Sequence, residues 1–267
     1  MKVIWNLLIF VNIAVTSNYV NAECNKPGLT IMRKQKKRQQ ADFEVITQEF
    51  ILEDLKTSIK EKGIIRRHNM DLGSNETKTL TTFLSPNKMK GIALLNWKNT
   101  HKSDNQWLFI PAKNKMKRII RSGKKEYLMG TDFTYSDLQG ETLTNWQYKC
   151  EAIVKCGVKK CYKIIAVPNS SEIKSQSGYS KRILWVRKKI YATVKTEFYD
   201  IEGKFFKTLN NSMLKKYSKI LWRAKKSIME RIGFHKTTIT IKDIKLNEEI
   251  DAKVFTKNFI TKGMHTR

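Results

Sequence analysis

From Phe43 onward, apolar and polar positions alternate in short runs that turn residues separate. "FEVITQEFILEDL" and "GIIRRHNMDL" are rich in β-branched and aromatic residues, with Gly63 and Gly73 as punctuation. Residues 77–84 alternate after a turn at 74–76, and 91–98 and 106–111 are further strand candidates. Residues 115–121 are expected to pair with 106–111. Across 182–195, Leu184, Val186, Ile190, Ala192 and Val194 share one face, and Trp185, Arg187, Lys189, Tyr191 and Thr193 the other. Residues 197–209 form a hairpin turning at Glu202–Gly203. Thr237, Ile239 and Ile241 share a face, and the apolar phase then shifts to Ile244 and Leu246, as a bulge would make it do.

About ten or eleven antiparallel strands with frequent turns predict a mainly β (α+β) fold, a sandwich or a barrel in one domain. Long helices do not alternate with the strands, which excludes a doubly wound α/β architecture. Ahead of the strands, residues 26–40 predict a short basic helix that Thr30 could cap.

The first residues change the picture. Lys2 precedes the apolar run "VIWNLLIFVNIAV", which is too short to span a membrane comfortably. "VNAEC" follows, with Val20 and Ala22 at the small-residue positions of a signal peptidase site. Residues 1–22 are expected to be a cleaved secretory signal, 23–42 a basic helical segment, and 43–267 one folded domain. Glu23 stands where a lipoprotein site needs a small residue, so lipid anchoring at Cys24 is not expected. The expected compartment is the periplasm.

The formal net charge of +28 invites a nucleic-acid reading, but the positive residues are mostly lysine and are spread along the chain. Export removes most nucleic-acid functions, leaving a solvated face or contact with an anionic membrane surface. Cys150, Cys156 and Cys161 cluster, and Cys24 is distant. An oxidising compartment and the lack of a CxxC or a nearby histidine favour a structural disulfide over a metal site. Its pairing is open between Cys150–Cys161 and Cys156–Cys161.

No GxSxG, HExxH, Walker loop or dinucleotide fingerprint is present, and no cofactor or metal is expected. Asp132 and Asp137 are the one suggestive carboxylate pair, and their context suits turn capping better than acid–base work. A curled sheet must fill its concave face with side chains, a helix or a ligand. Trp97, Trp107, Phe109, Met129, Phe133, Tyr135 and Trp185 suit an adaptable apolar cavity, although each also suits ordinary core packing. Lys115, Lys117, Arg118 and Arg121 would then meet anionic headgroups at its rim.

The region "FLSPNKMKGIALLNWKN" through "DNQWLFIPAKNKMKRIIRSGKKEYLMGTDFTYSDL" resembles the bacterial outer membrane lipoprotein-sorting protein family, LolA/LolB-like in architecture. That family's pattern is close to F-x-x-P-x-x-x-K-G-x-x-x-L-x-W, then W-L-Y-L-P-x-x-x-K-x-R-R-I, then F-M-G-S-D-F-S-Y-x-D-L. Here Phe83, Pro86, Lys90, Gly91, Leu95 and Trp97 match the first block, and Trp107, Leu108, Pro111, Lys115, Arg118 and Ile119 the second. Met129, Gly130, Asp132, Phe133, Tyr135, Asp137 and Leu138 match the third, with Leu128, Lys117 and Thr131 as mild departures.

The resemblance extends through "CYKIIAVP", "LWVRKKIYATVKTEFYDIEGKFFK" and "VFTKNF". It implies an unclosed antiparallel β-barrel curled around short helices over 43–267. The implied role is that of a non-catalytic periplasmic carrier of lipid or lipoprotein acyl chains, working beside RND/MMPL-type inner-membrane transporters. Under it, residues 129–138 cover the hollow, with Gly130 allowing the bend and Asp132 and Asp137 holding it. The alternative is an accessory or sensor protein partnering such a transporter, with a filled core. A third reading, an envelope hydrolase, rests on Asp132 and Asp137 alone.

Overall fold

The period-two runs build one antiparallel sheet of thirteen strands. They are β1 (Phe43–Asp54), β2 (Lys60–Gly73), β3 (Glu76–Ser85), β4 (Ala93–Lys98), β5 (Asn105–Ile110) and β6 (Lys115–Arg118), then β7 (Trp146–Cys156), β8 (Lys159–Pro168), β9 (Lys181–Arg187), β10 (Thr193–Tyr199), β11 (Phe205–Lys216), β12 (Trp222–Arg231) and β13 (His235–Leu246). The computed structural model describes residues 23–100, 103–218 and 220–267, so the expected signal peptide lies outside the described residues.

The strand order is β6-β5-β4-β3-β2-β1-β13-β12-β11-β10-β9-β8-β7. Two meanders, β1–β6 and β7–β13, therefore lie side by side and join where β1 pairs with β13. β6 and β7 are the two edges, so the sheet curls without closing, as the sequence led one to expect. The phase shift in β13 is a bulge: Thr47 faces Asp243 but Gln48 faces Ile241, leaving Lys242 over.

Thirteen strands replace the expected ten or eleven. Residues 182–195 are not one strand but parts of β9 and β10 around a tight turn, where the Tyr191 N–H donates to the Arg187 carbonyl at 2.8 Å. The basic run 187–189 supplies that turn, although its neighbours keep a period-two pattern. β7 was masked by its exposed Gln147, Lys149 and Glu151.

Both faces of the sheet are covered. Inside the curl, α1 (Gly28–Lys37) packs Ile31 and Met32 against Tyr162, Ile164, Leu184 and Val186. A Cβ on Gly28 would sit 2.5 Å from the Tyr148 carbonyl oxygen, so only glycine lets the helix start this close to β7. The helix begins after Pro27, which places Thr30 within it and not at its cap. Cys24 just ahead of α1 is disulfide-bonded to Cys150, and Cys156 to Cys161 across the β7–β8 turn. Cys150 faces Ile164 and Cys161 faces Val154 in the β7–β8 ladder, which sets the Cys150–Cys161 option aside. On the convex side, a 3-10 turn (Ala252–Phe255) and α4 (Lys257–Thr261) cover Met70, Leu80, Leu95, Trp107 and Phe109, with Phe255 and Ile260 fully buried. No helix of the described residues is long and apolar enough to cross a membrane.

Candidate functional site

Because β6 and β7 lie at opposite edges, the chain between them must cross the open side of the sheet. This strap runs over the concave face. Ile119, Leu128 and Tyr135 pack against Phe50, Phe83, Leu94 and Leu108 of the first meander. The strap turns at Met129 and Gly130, with φ of 44° and 77°. A capping box between Thr134 and Asp137 then starts α2 (Tyr135–Leu138).

Three carboxylates pin the strap to the second meander. Asp132 is fully buried, and its Oδ1 accepts from Arg231 Nε at 2.7 Å. Its Oδ2 accepts from Thr237 Oγ1 at 2.6 Å and lies 2.7 Å from His235 Nδ1. Asp137 accepts from Lys207 Nζ at 2.7 Å and from the Tyr179 hydroxyl at 2.8 Å. Glu141 takes both ends of the Arg182 guanidinium, at 2.8 and 3.1 Å, and Arg182 lies 3.7 Å over the Trp146 ring.

Burial pushes the Asp137 and Glu141 carboxyls up, but Lys207 and Arg182 respectively outweigh it and hold both below the ordinary carboxylate values. Opening the strap would leave these buried charges unpaired, at a cost in stability.

Between α1 and the strap the concave face stays open, leaving a hollow of about 990 Å³. That is at the upper end of ordinary ligand sites, roughly 300–1,000 Å³. Its walls differ. Leu184, Phe198, Leu209 and Met229 of the second meander, with Met32 of α1 and Phe133 of the strap, give an apolar side. Arg67, Asn69, Thr77, Thr79 and Lys98 of β2, β3 and β4 give a polar side.

The apolar cavity expected from the aromatic inventory has a polar wall as well. Of the seven expected lining residues, Phe133 lines the hollow. Tyr135 and Met129 sit in the packed cluster under the strap. Trp97, Trp107 and Phe109 face the convex side, where the Trp97 indole N–H donates to the Phe255 carbonyl at 2.9 Å. Trp185 also faces outward, opposite Lys195, whose ammonium lies 4.7 Å from its ring centroid. Alternation had placed these residues on faces without saying which face is concave.

The expected basic rim is not one patch either. Arg118 and Arg121 do line the mouth of the hollow, whereas Lys115 and Lys117, paired with Ile110 and Leu108, do not. Arg121 is 2.5 Å from Glu172 of α3 (Ser171–Ser177). Sequence reasoning missed Glu141, Arg182, Lys207, Arg231 and His235. Lys207 carried one signal, since it shares the inward parity of Leu209 on β11, while a bulge puts Phe205 on the other face.

A family model described as "-like: Uncharacterized protein" matches residues 75–262, more than half of the chain. Nothing among curated proteins matches. Among solved structures, a domain described as an outer membrane lipoprotein-sorting protein from Vibrio parahaemolyticus is 28% identical, with TM-score 0.81 over 88% of this chain and 98% of that one. A DUF1329 family protein from Desulfovibrio piger is 18% identical, with TM-score 0.81 over 87% and 97%. A LolA superfamily protein from Nitrosomonas europaea is 19% identical, with TM-score 0.66 over 88% and 99%. These neighbours match the family that the sequence resembles, and the last two share the fold.

Proposed function

The chain belongs to the family of that model, and from this premise we propose that it is a carrier holding a lipid or lipoprotein acyl chain in the hollow between α1 and the strap. The observation that carries the proposal is the hollow itself, about 990 Å³ on the concave face with an apolar wall. Burying an acyl chain there gains roughly 0.8 kcal/mol per methylene, enough over a long chain to draw a lipid from a bilayer. The likeness to a lipoprotein-sorting domain supports the same reading. So does the open interior, because an accessory protein with no cargo is expected to fill its core with side chains. The finer parts of the proposal are export through residues 1–22, work in the periplasm and exchange of cargo with an RND/MMPL-type transporter.

The test is native mass spectrometry, with lipid extraction, of mature protein purified from bacterial envelopes. A co-purifying acylated molecule and binding of a fluorescent fatty-acid probe are expected. Ligand-free protein that also ignores the probe would overturn the carrier reading.

A further inference from the structure

The polar wall of the hollow holds a guanidinium without a partner. Arg67 of β2 makes no salt bridge among the described residues, and its Nε is shielded from solvent with no hydrogen-bond acceptor. The near carboxylate, Glu44, is already bound by Arg223 Nε at 2.9 Å. Two arginines thus share one buried acid.

On the same wall, Lys98 is 6% exposed and has no carboxylate in contact among the described residues, its ammonium donating to the Glu141 backbone carbonyl. Burial, with Lys36 nearby, pushes its pKa down to about 8. Arg67 and Lys98 flank β3 at Thr81 and Thr77, four residues apart, or roughly 13 Å at about 3.3 Å per residue. Between them, Thr79 donates to Asn69 at 2.8 Å, and the side-chain oxygen of Asn96 has no partner. Two enclosed cations sharing so little counter-charge are costly, and an incoming anion offsets part of that cost. Arginine suits phosphate and carboxylate because its fork can meet two oxygens at once.

We propose that this wall binds an anionic group, a phosphate or a carboxylate, at Arg67 beside the Asn69–Thr79 pair, so that the cargo is an anionic amphiphile whose chain lies along Leu184, Leu209 and Met229. This rests on the carrier reading and names its substrate class.

The test displaces a neutral fluorescent alkyl probe from the mature protein with single-chain lipids of one chain length, a phosphate monoester and a neutral monoglyceride. The anionic lipid is expected to displace at about tenfold lower concentration, which corresponds to about 1.4 kcal/mol. In Arg67→Gln that ratio should fall to about one, and Arg67→Lys should keep most of it. Thermal melts check that both variants fold, and the wild-type ratio stands as a test even where one does not.

Inorganic phosphate alone separates the sources. A melting shift seen in wild type and lost in Arg67→Gln points to a free anion, and no shift with the lipid preference intact points to a headgroup. Equal displacement by both lipids, or a preference that survives Arg67→Gln, overturns the inference. Failure of the neutral probe and both lipids to bind is instead a failure of the carrier reading, and a phosphate shift lost in Arg67→Gln would still support the anion site.

Discussion

Lys207 places its ammonium 2.7 Å from the carboxylate of Asp137, and the lysine side chain has no solvent exposure. The two residues are 70 positions apart. One comes from the strap and the other from an inward position of β11, so the pair ties the cover of the hollow to its far wall. Tyr179 completes the triangle, its hydroxyl donating to Asp137 and accepting from Lys207 at 2.6 Å.

Removing one partner leaves the other charge buried. Lys207→Met is expected to lower stability by about 3–5 kcal/mol. The double variant Lys207→Met, Asp137→Asn should lose less than the sum of the two single changes, because the second removes the stranded charge. Urea unfolding of the three variants measures this, and simple additivity would argue against a coupled pair.

The same pairs set the response to acid. The carboxyls of Asp137 and Glu141 lie below their ordinary values of 3.8 and 4.5. A depressed folded value means stability that is present above the ordinary value and lost as pH falls through the folded one. These groups should add nothing to pH dependence between about pH 5 and 7, and the melting temperature should drop below about pH 4. Asp137→Asn should be less stable at neutral pH and show a shallower drop in acid, as read by melting scans across pH.

The two disulfides should contribute unequally. Cys24–Cys150 spans 126 positions and Cys156–Cys161 spans 5. Chain-entropy scaling gives about 5 kcal/mol for the long loop and about 2 kcal/mol for the short one. Replacing the first pair by serine should therefore lower the melting temperature more than replacing the second. It should also loosen α1, which hydrogen exchange at residues 28–37 would show.

The convex cluster should matter to stability and not to cargo. Phe255 is fully buried against the outward aromatics, and Phe255→Ala is expected to cost about 3–5 kcal/mol. Trp97 and Trp107 should gain solvent exposure, seen as a red shift in fluorescence. Binding of a fatty-acid probe at temperatures where the variant is folded should stay near that of wild type. A matching loss of probe binding would place cargo on the convex face.

Several features follow from local chemistry alone. Period-two alternation sets most strands, because a strand with one face against an apolar layer repeats its pattern every second residue. The phase change after Ile241 marks a bulge that β1 does bridge, and the block from Leu128 to Leu138 is specific enough to announce the architecture.

What alternation could not decide is which face is concave. Both faces here meet apolar layers, the strap and α1 inside and the C-terminal turns outside, so the Trp97 and Phe133 faces look alike in sequence. Nor could it pair Asp132 with Arg231 or leave Arg67 without a partner. Such contacts join segments that only the curl of the sheet brings together. The character of the hollow, apolar on one wall and polar on the other, is therefore a property of the tertiary fold, set by long-range pairing and not by any local run of residues.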